Sequence, residues 1–359
     1  MAFTPADILC CPPPLFHCFG LVLGLLACVT HGSTIVLPSP TFSAQAVLSS
    51  LSDENCTALH GVPAMFEELL SLPRPDSWSC SDLRTGIVAG APVPKALMKR
   101  MLDELNMLEF TSSYGLTEAS PTCFNAETFD TIQRRITTVG KIMPHLHAKV
   151  VDQNGKILPI GERGELYMSG YSLQKGYWNN PSKTAEAMVA DEQGIVWLRT
   201  GDEAFFDHDG YCTITGRFKD IIIRGGENIY PVEIESRLTS HPSGSITRAA
   251  VVGIRHLKYG EVVGAFLLPE TEDLGRPNDE ELRDWVREVL GRHKAPTHIF
   301  WFGDEEVGLD DMPQTGSGKI KKHILREIAQ RLVDTDMAET GVFMDYEGWP
   351  TMKECSLEF

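Results

Sequence analysis

The stretch Thr85-Gly86-Ile87-Val88-Ala89-Gly90, together with the segment Pro94 to Leu108 behind it, decides the reading of the fold. A short apolar run stops at a glycine, and the next segment spaces its apolar residues at helical intervals. The same alternation occurs upstream. Thr34-Ile35-Val36-Leu37 reads as a buried strand, and Ala64 to Leu70 as a helix behind Gly61-Val62-Pro63. Strands alternating with helices predict an α/β layer.

Near His145 the pattern changes. Lys149-Val150-Val151 and Lys156-Ile157-Leu158 flank Asp152-Gln153-Asn154-Gly155, a hairpin signal. Glu165 to Ser169 reads as a strand, and Asp207-His208-Asp209-Gly210 as a second hairpin turn leading into Tyr211 to Thr215. Residues 145–215 therefore read as a β-rich subdomain. From Gly216 a further unit is expected. Its strands are Asp220 to Ile223, Ala249 to Ile254, Val262 to Leu268 and His298 to Phe302. Its helices start at Pro231 and cover Glu280 to Leu290 and Ile320 to Leu332. The expected layout is the remainder of a large α/β domain over 1–215, a small α+β domain over 216–332 and an acidic tail over 333–359.

The 359 residues carry 32 basic and 49 acidic side chains, a net charge of −17. Such a chain repels nucleic acid and anionic membranes unless a local basic patch overrules the total. The nearest approach to one is Lys319, Lys321, Lys322, His323 and Arg326. The nine cysteines are odd in number and form no C-x-x-C pair, which points to free thiols in a reduced intracellular protein and gives zinc no ligand spacing. Leu15 to Val29 is apolar but too short to span a bilayer, is interrupted by His17 and lacks a basic leader, so it reads as buried core. The final Ser356-Leu357-Glu358-Phe359 is not a peroxisomal address. A cytoplasmic protein is the expectation.

Four loops have residues suited to nucleotide chemistry. In Ser112-Ser113-Tyr114-Gly115-Leu116-Thr117-Glu118, a glycine-bearing turn after a β run brings backbone donors close to a ligand. Tyr114 can stack on a purine, Thr117 offers a hydroxyl to phosphate and Glu118 a carboxylate to Mg²⁺. In Leu198-Arg199-Thr200-Gly201-Asp202, the aspartate can accept two hydrogen bonds from a ribose diol. Arg224-Gly225-Gly226-Glu227-Asn228 has two glycines past which a thread-like ligand can run. Pro313-Gln314-Thr315-Gly316-Ser317-Gly318-Lys319 delivers a lysine without Walker spacing. Taken singly, each is also what an ordinary turn offers.

Their order is more specific. Pro14-Leu15-Phe16-His17-Cys18-Phe19-Gly20, the Tyr-Gly-Leu-Thr-Glu loop, Thr200-Gly201-Asp202, Gly216-Arg217-Phe218-Lys219-Asp220 and the Lys319 loop resemble, in sequence, the motif series of the adenylate-forming superfamily. That superfamily contains acyl- and aryl-CoA ligases, luciferases and peptide-synthetase adenylation domains, and the resemblance runs from about Pro14 to about Leu332. It implies ATP, Mg²⁺ and coenzyme A as cofactors and a small carboxylic acid, a fatty acid foremost, as substrate. The carboxylate attacks the α-phosphate to give acyl-AMP, a small mobile C-terminal domain rotates, and a thiol takes the acyl group.

By the same resemblance, Tyr114 stacks on adenine with Gly115 beside it, and Gly90, Ala91 and Pro92 line the adenine side. Thr117 contacts phosphates, Glu118 holds Mg²⁺, and Asp202 and Arg217 grip the ribose. Lys219 lies at the hinge, Lys319 serves adenylation, His17 lies at the acyl pocket, and Gly225 and Gly226 border the pantetheine arm. Gly61-Val62-Pro63-Ala64-Met65 looks like the medium- and long-chain acyl-CoA synthetases, with a lean toward fungal accessory metabolism. The superfamily's Ser/Thr/Gly-rich loop ending in Pro-Lys-Gly does not occur in this sequence. A chain lacking part of the large domain and slow in isolation is therefore expected. Two other readings stand beside the ligase: an acyl-AMP ligase loading a carrier protein, and a non-catalytic remnant that binds or regulates a full-length relative.

Overall fold

The computed structural model describes residues 1–90, 93–270, 275–315, 319–340, 342–344 and 350–352. It divides into two units, Met1–Phe218 with Gly316–Lys319, and Lys219–Thr315 with Ile320–Phe359.

The first unit opens with a seven-stranded sheet. Its strands are β1 (Ile8–Cys10), β2 (Thr34–Val36), β3 (Ala58–Leu59), β4 (Thr85–Ala89), β5 (Glu109–Gly115), β6 (Thr122–Asn125) and β7 (Lys141–Ile142), in the order β2-β1-β3-β4-β5-β6-β7. Pairing is parallel from β2 to β5 and antiparallel from β5 to β7. The connecting helices are α1 (Ala27–His31), α2 (Ala44–Asp53), α3 (Pro63–Ser71), α4 (Lys95–Leu105) and α5 (Ile132–Thr137). Ser43 caps α2 by accepting from the Ala46 amide, and Pro63 takes the first turn of α3. α4 is shorter than its periodicity predicts, because Asn106 adopts a left-handed conformation (φ 54°) and stops it. Val47, Leu48, Leu51, Phe66, Leu69, Met101, Leu105 and Phe110 fill the core between these helices and the sheet.

The apolar run before α1 is a correction to the sequence reading. Phe19–Leu26 forms a π-helix that buries Phe19, Gly20 and Gly24 but leaves Leu21 and Leu26 at 40% and 45% exposure, and Val29 in α1 is 69% exposed. Only one face of the run is core. π-Helical segments are uncommon and cluster at functional sites.

The second sheet of this unit is antiparallel. It holds β8 (Leu146–Val151), β9 (Gly164–Gly170), β10 (Met188–Ala190), β11 (Val196–Phe206) and β12 (Cys212–Arg217), with α6 (Pro181–Ala187) between β9 and β10. The turn at Asp152–Gly155 forms as expected, but Lys156-Ile157-Leu158 contributes only an isolated bridge between Val151 and Ile157. Its core is Leu166, Met168, Leu198, Ala204 and Cys212, together with Phe124 and Cys123 of β6.

In the second unit, β13 (Ile222–Arg224), β14 (Glu227–Ile229), β15 (Ile246–His256), β16 (Gly260–Pro269) and β17 (His298–Trp301) form one sheet, with β17 parallel to β16. It is packed by α7 (Pro231–Thr239), α8 (Asp279–Leu290) and α9 (Lys322–Thr340). Asn278 caps α8 with Asp279, Glu280 and Glu281 in its first turn, where the helix dipole favours acids. α9 continues past Leu332 to Thr340, so the segment read as tail begins as helix. Beyond it, β18 (Val342–Met344) pairs antiparallel with β19 (Pro350–Met352). No helix of the described residues is long and apolar enough to cross a membrane. The eight described cysteines are free, and no cluster of three or more metal-binding side chains occurs among the described residues.

Candidate active site

β5 ends at Gly115, where Leu116 donates its amide to the Pro121 carbonyl at 2.8 Å and a Cβ on Gly115 would meet that carbonyl at 1.9 Å. This close return places Thr117 and Glu118 in a single 3-10 turn, Thr117–Ala119, directly after the strand. Tyr114, one residue inside β5, packs its ring against Phe124 at 6.1 Å and donates its hydroxyl to Asp202 Oδ2 at 2.5 Å.

Asp202 is 2% exposed. Thr200 holds its backbone: the Thr200 hydroxyl donates to the Leu166 carbonyl at 2.8 Å and accepts from the Asp202 amide at 3.1 Å. Arg217 is its cross-strand partner on β12, with Nε 2.9 Å from Asp202 Oδ1. That ion pair is not aligned as a hydrogen bond, so Oδ1 is a buried acceptor without an aligned donor among the described residues. Burial raises the Asp202 carboxyl above its ordinary value, against the pull of the Arg217 charge and the Tyr114 hydroxyl. Burial, then the Asp202 charge, push the Tyr114 phenol well up, so it is the donor of the pair.

A second cluster gathers at the π-helix. His17 Nδ1 accepts from the Phe19 amide at 3.1 Å, and burial lowers its pKa. The Cys18 thiol stands 3.7 Å from the Thr117 hydroxyl. The Pro14–Gly20 motif and the Tyr114–Glu118 loop therefore meet in space, through Cys18 rather than His17.

A third contact was not foreseen from sequence. Tyr177 donates its hydroxyl to Glu118 Oε1 at 2.7 Å, and the Gln174 amide donates to the Glu118 carbonyl at 2.8 Å. The readable signal was Gly176-Tyr177 just ahead of the Asn180-Pro181 helix start.

Among the remaining expected residues, Gly90 sits exposed at the end of β4 with φ +91°, its Cβ position 3.2 Å from the Val62 side chain. Ala91 and Pro92 lie outside the described residues. Lys219 is exposed and is the first residue of the second unit, its carbonyl accepting from Arg326 at 3.2 Å. Gly225 and Gly226 form the two-residue turn between β13 and β14, with φ +58° and +89°. A turn with positive φ at both centres demands such residues on its own account. Lys319 is exposed and groups with the first unit.

Comparison with known proteins matches residues 1–178 to the AMP-binding enzyme family and residues 233–319 to the AMP-binding enzyme C-terminal domain. The chain is 64% identical to acyl-CoA ligase sidI from Aspergillus fumigatus over 345 residues, covering 96% of this chain and 58% of that protein. It is 45% identical to acyl-CoA ligase cnsG from Penicillium expansum, covering 92% of this chain and 68% of that one. The ATP-bound structure of MatB from Rhodopseudomonas palustris superposes with a TM-score of 0.80 at 27% identity, over 92% of this chain and 61% of that chain. Thus this chain spans little more than half the length of its sidI relative and most of the length of cnsG, and it belongs to the AMP-binding enzyme family, where its named relatives are acyl-CoA ligases.

Proposed function

We propose that the chain carries the nucleotide and acyl-transfer side of an ATP-dependent acyl-CoA ligase, which activates a carboxylic acid, a fatty acid foremost, as acyl-AMP and passes the acyl group to coenzyme A. The observation that carries this reading is the buried Asp202 carboxylate. It is held by Tyr114 on one oxygen and faced by Arg217 on the other, and Oδ1 is left as an acceptor suited to a sugar hydroxyl. A carboxylate oxygen has more than one lone pair, so a ligand hydroxyl can donate to Oδ1 beside the facing Arg217 charge.

In this reading Asp202 and Arg217 hold the ribose, and Tyr114 with Gly115 borders the adenine, alongside Gly90, Ala91 and Pro92. Thr117 donates to phosphate oxygens, and His17 lines the acyl side. Gly225 and Gly226 border the arm of coenzyme A. Lys319 steadies the carboxylate and α-phosphate during adenylation, and Lys219 absorbs the turn between half-reactions. Glu118 supplies one carboxylate oxygen to Mg²⁺. A lone protein carboxylate fits Mg²⁺, which keeps waters and takes its other oxygens from substrate phosphates. When bound, the ion would neutralise charge on the phosphates. The fungal relatives support a place in accessory metabolism, and free thiols support an intracellular setting.

The test is pyrophosphate release from ATP with a panel of fatty and aryl acids, followed by coenzyme A thioester formation. Release that tracks one class of acid is the expected result. Release independent of any acid would refute the reading.

A further inference from the structure

Glu118 is gripped twice by one short segment. Tyr177 donates to its carboxylate at 2.7 Å, and the Gln174 amide donates to its carbonyl at 2.8 Å. Local structure delivers the tyrosine to this point. Asn180 accepts from the Lys183 amide at 3.1 Å and so caps α6, with Pro181 in the first turn. Thr184, in the same helix, accepts from the Tyr177 amide at 2.9 Å and donates to the Asn180 carbonyl at 2.9 Å. Gly176 lets the chain pass close to that threonine: with φ +150°, a Cβ there would come within 2.7 Å of Thr184 Cγ2. Glycine, threonine and cap together fix the tyrosine backbone before its side chain reaches Glu118.

A tyrosine–carboxylate bond can be a mere staple between loops. Here it takes one oxygen of the carboxylate that the functional reading assigns to Mg²⁺. The phenol has one proton to give and an ionised carboxylate only accepts, so the tyrosine is the donor of this bond. A carboxylate with one oxygen held by a fixed donor has its second oxygen aimed, which is how outer partners tune a metal ligand.

We propose that Tyr177 is the positioning residue for Glu118: by holding Oε1, it directs Oε2 toward the Mg²⁺ of a bound magnesium nucleotide. The proposal rests on the reading of Glu118 given above. Gly176, Asn180 and Thr184 are then parts of the same device, since they set where the phenol ends.

The experiment is calorimetric titration of the full chain, Tyr177→Phe and Glu118→Gln with ATP, with and without MgCl₂, and with AMP alone. The ratio of ATP affinities with and without Mg²⁺ should fall about tenfold in Tyr177→Phe, the size expected for a hydrogen bond to a charged group, and further in Glu118→Gln. AMP affinity should stay the same in all three proteins. A wild-type Mg²⁺ ratio in Tyr177→Phe, with the ratio lost in Glu118→Gln, would overturn the proposal and leave the Glu118 reading standing. Parallel loss of AMP and magnesium-ATP affinity in Tyr177→Phe would reduce the bond to a staple. An unchanged ratio in Glu118→Gln would overturn the Glu118 reading and the proposal with it, as would a wild-type chain that binds neither nucleotide.

Discussion

Tyr114 and Asp202 meet at 2.5 Å across 88 positions of sequence, the phenol donating to the carboxylate. The bond ties the end of β5 to the middle of β11, one strand in each sheet of the first unit. Tyr114→Phe leaves a buried carboxylate oxygen without its donor, which should cost about 1–3 kcal/mol. The expected readout is a lower urea midpoint with an unchanged slope. Asp202→Ala should weaken AMP binding about tenfold or more, because the loss then falls on a hydrogen-bonding group that faces the ligand. Equal AMP affinity in wild type and both variants would remove this pair from the site.

Lys319 should matter to one half-reaction only. It ends the Gly316–Lys319 stretch that groups with the first unit, although Thr315 and Ile320 on either side of that stretch belong to the second. A lysine that neutralises developing charge is worth about 10²–10³-fold in rate, by analogy with lost oxyanion donors. In a fusion of this chain to the upstream part of a relative, Lys319→Ala should slow acyl-AMP formation by that factor. Attack of coenzyme A on synthetic acyl-AMP should be spared. Equal slowing of both steps would contradict the assignment.

The parts of the fold that were legible in sequence are those set by local pattern. β4 runs from Thr85 to Ala89 as its apolar run and Gly90 indicate, and the Asp207–Gly210 turn forms where its Asp and Gly demand. Phe19–Leu26 was harder, because an unbroken apolar run has no periodicity to say which face is buried or that the turn widens to a π-helix. α9 runs to Thr340 because Met337, Ala338 and Glu339 have helix propensity, even though no apolar stripe continues there. For the candidate site, sequence pointed to Tyr114, Thr117, Glu118, Asp202 and Arg217, but not to Tyr177 and not to any pairing. Cys18 against Thr117 and Tyr177 against Glu118 join segments 99 and 59 positions apart, and only the sheet arrangement brings them together.

Lys219 offers a test of the expected hinge. The division between the two units falls immediately before it, and Phe218 is anchored on the other side by its amide donating to the Gly201 carbonyl at 3.0 Å. Hinges absorb large φ/ψ changes in a few residues at element ends. Lys219→Pro would lock φ near about −65°. In the same fusion, thioester formation should fall while adenylation survives, measured as thioester yield from synthetic acyl-AMP against acid-dependent pyrophosphate release. Unchanged rates in both would move the hinge elsewhere.

His60 sets an acid limit on the first unit. The ring is fully buried between Phe3, stacked at 6.1 Å, and Phe19, tilted at 5.6 Å. Its Nδ1 accepts from the Ile87 amide at 3.2 Å, so Nε2 carries the proton and donates to the Leu23 carbonyl of the π-helix at 3.1 Å. Burial pushes its pKa from 6.5 down to about 4. The unfolded chain therefore binds a proton at this ring below about pH 6.5, while the folded chain does not until about pH 4. Unfolding takes up that proton, so the stability due to the neutral ring is present above the upper value and is lost as pH falls through the window. At about 1.4 kcal/mol per pH unit, the full loss is on the order of 3 kcal/mol. His60→Gln keeps a donor for the Leu23 carbonyl but cannot titrate. It should be less stable than wild type at pH 7, from imperfect packing, and the gap should narrow steadily toward pH 4. Denaturant unfolding at half-unit steps between pH 7 and 4 measures that gap directly and cancels the carboxylates common to both proteins. Parallel curves would mean that His60 titrates at the same pH in the folded and unfolded chain, a widening gap would mean that it is protonated in the fold, and either would overturn the neutral-ring account.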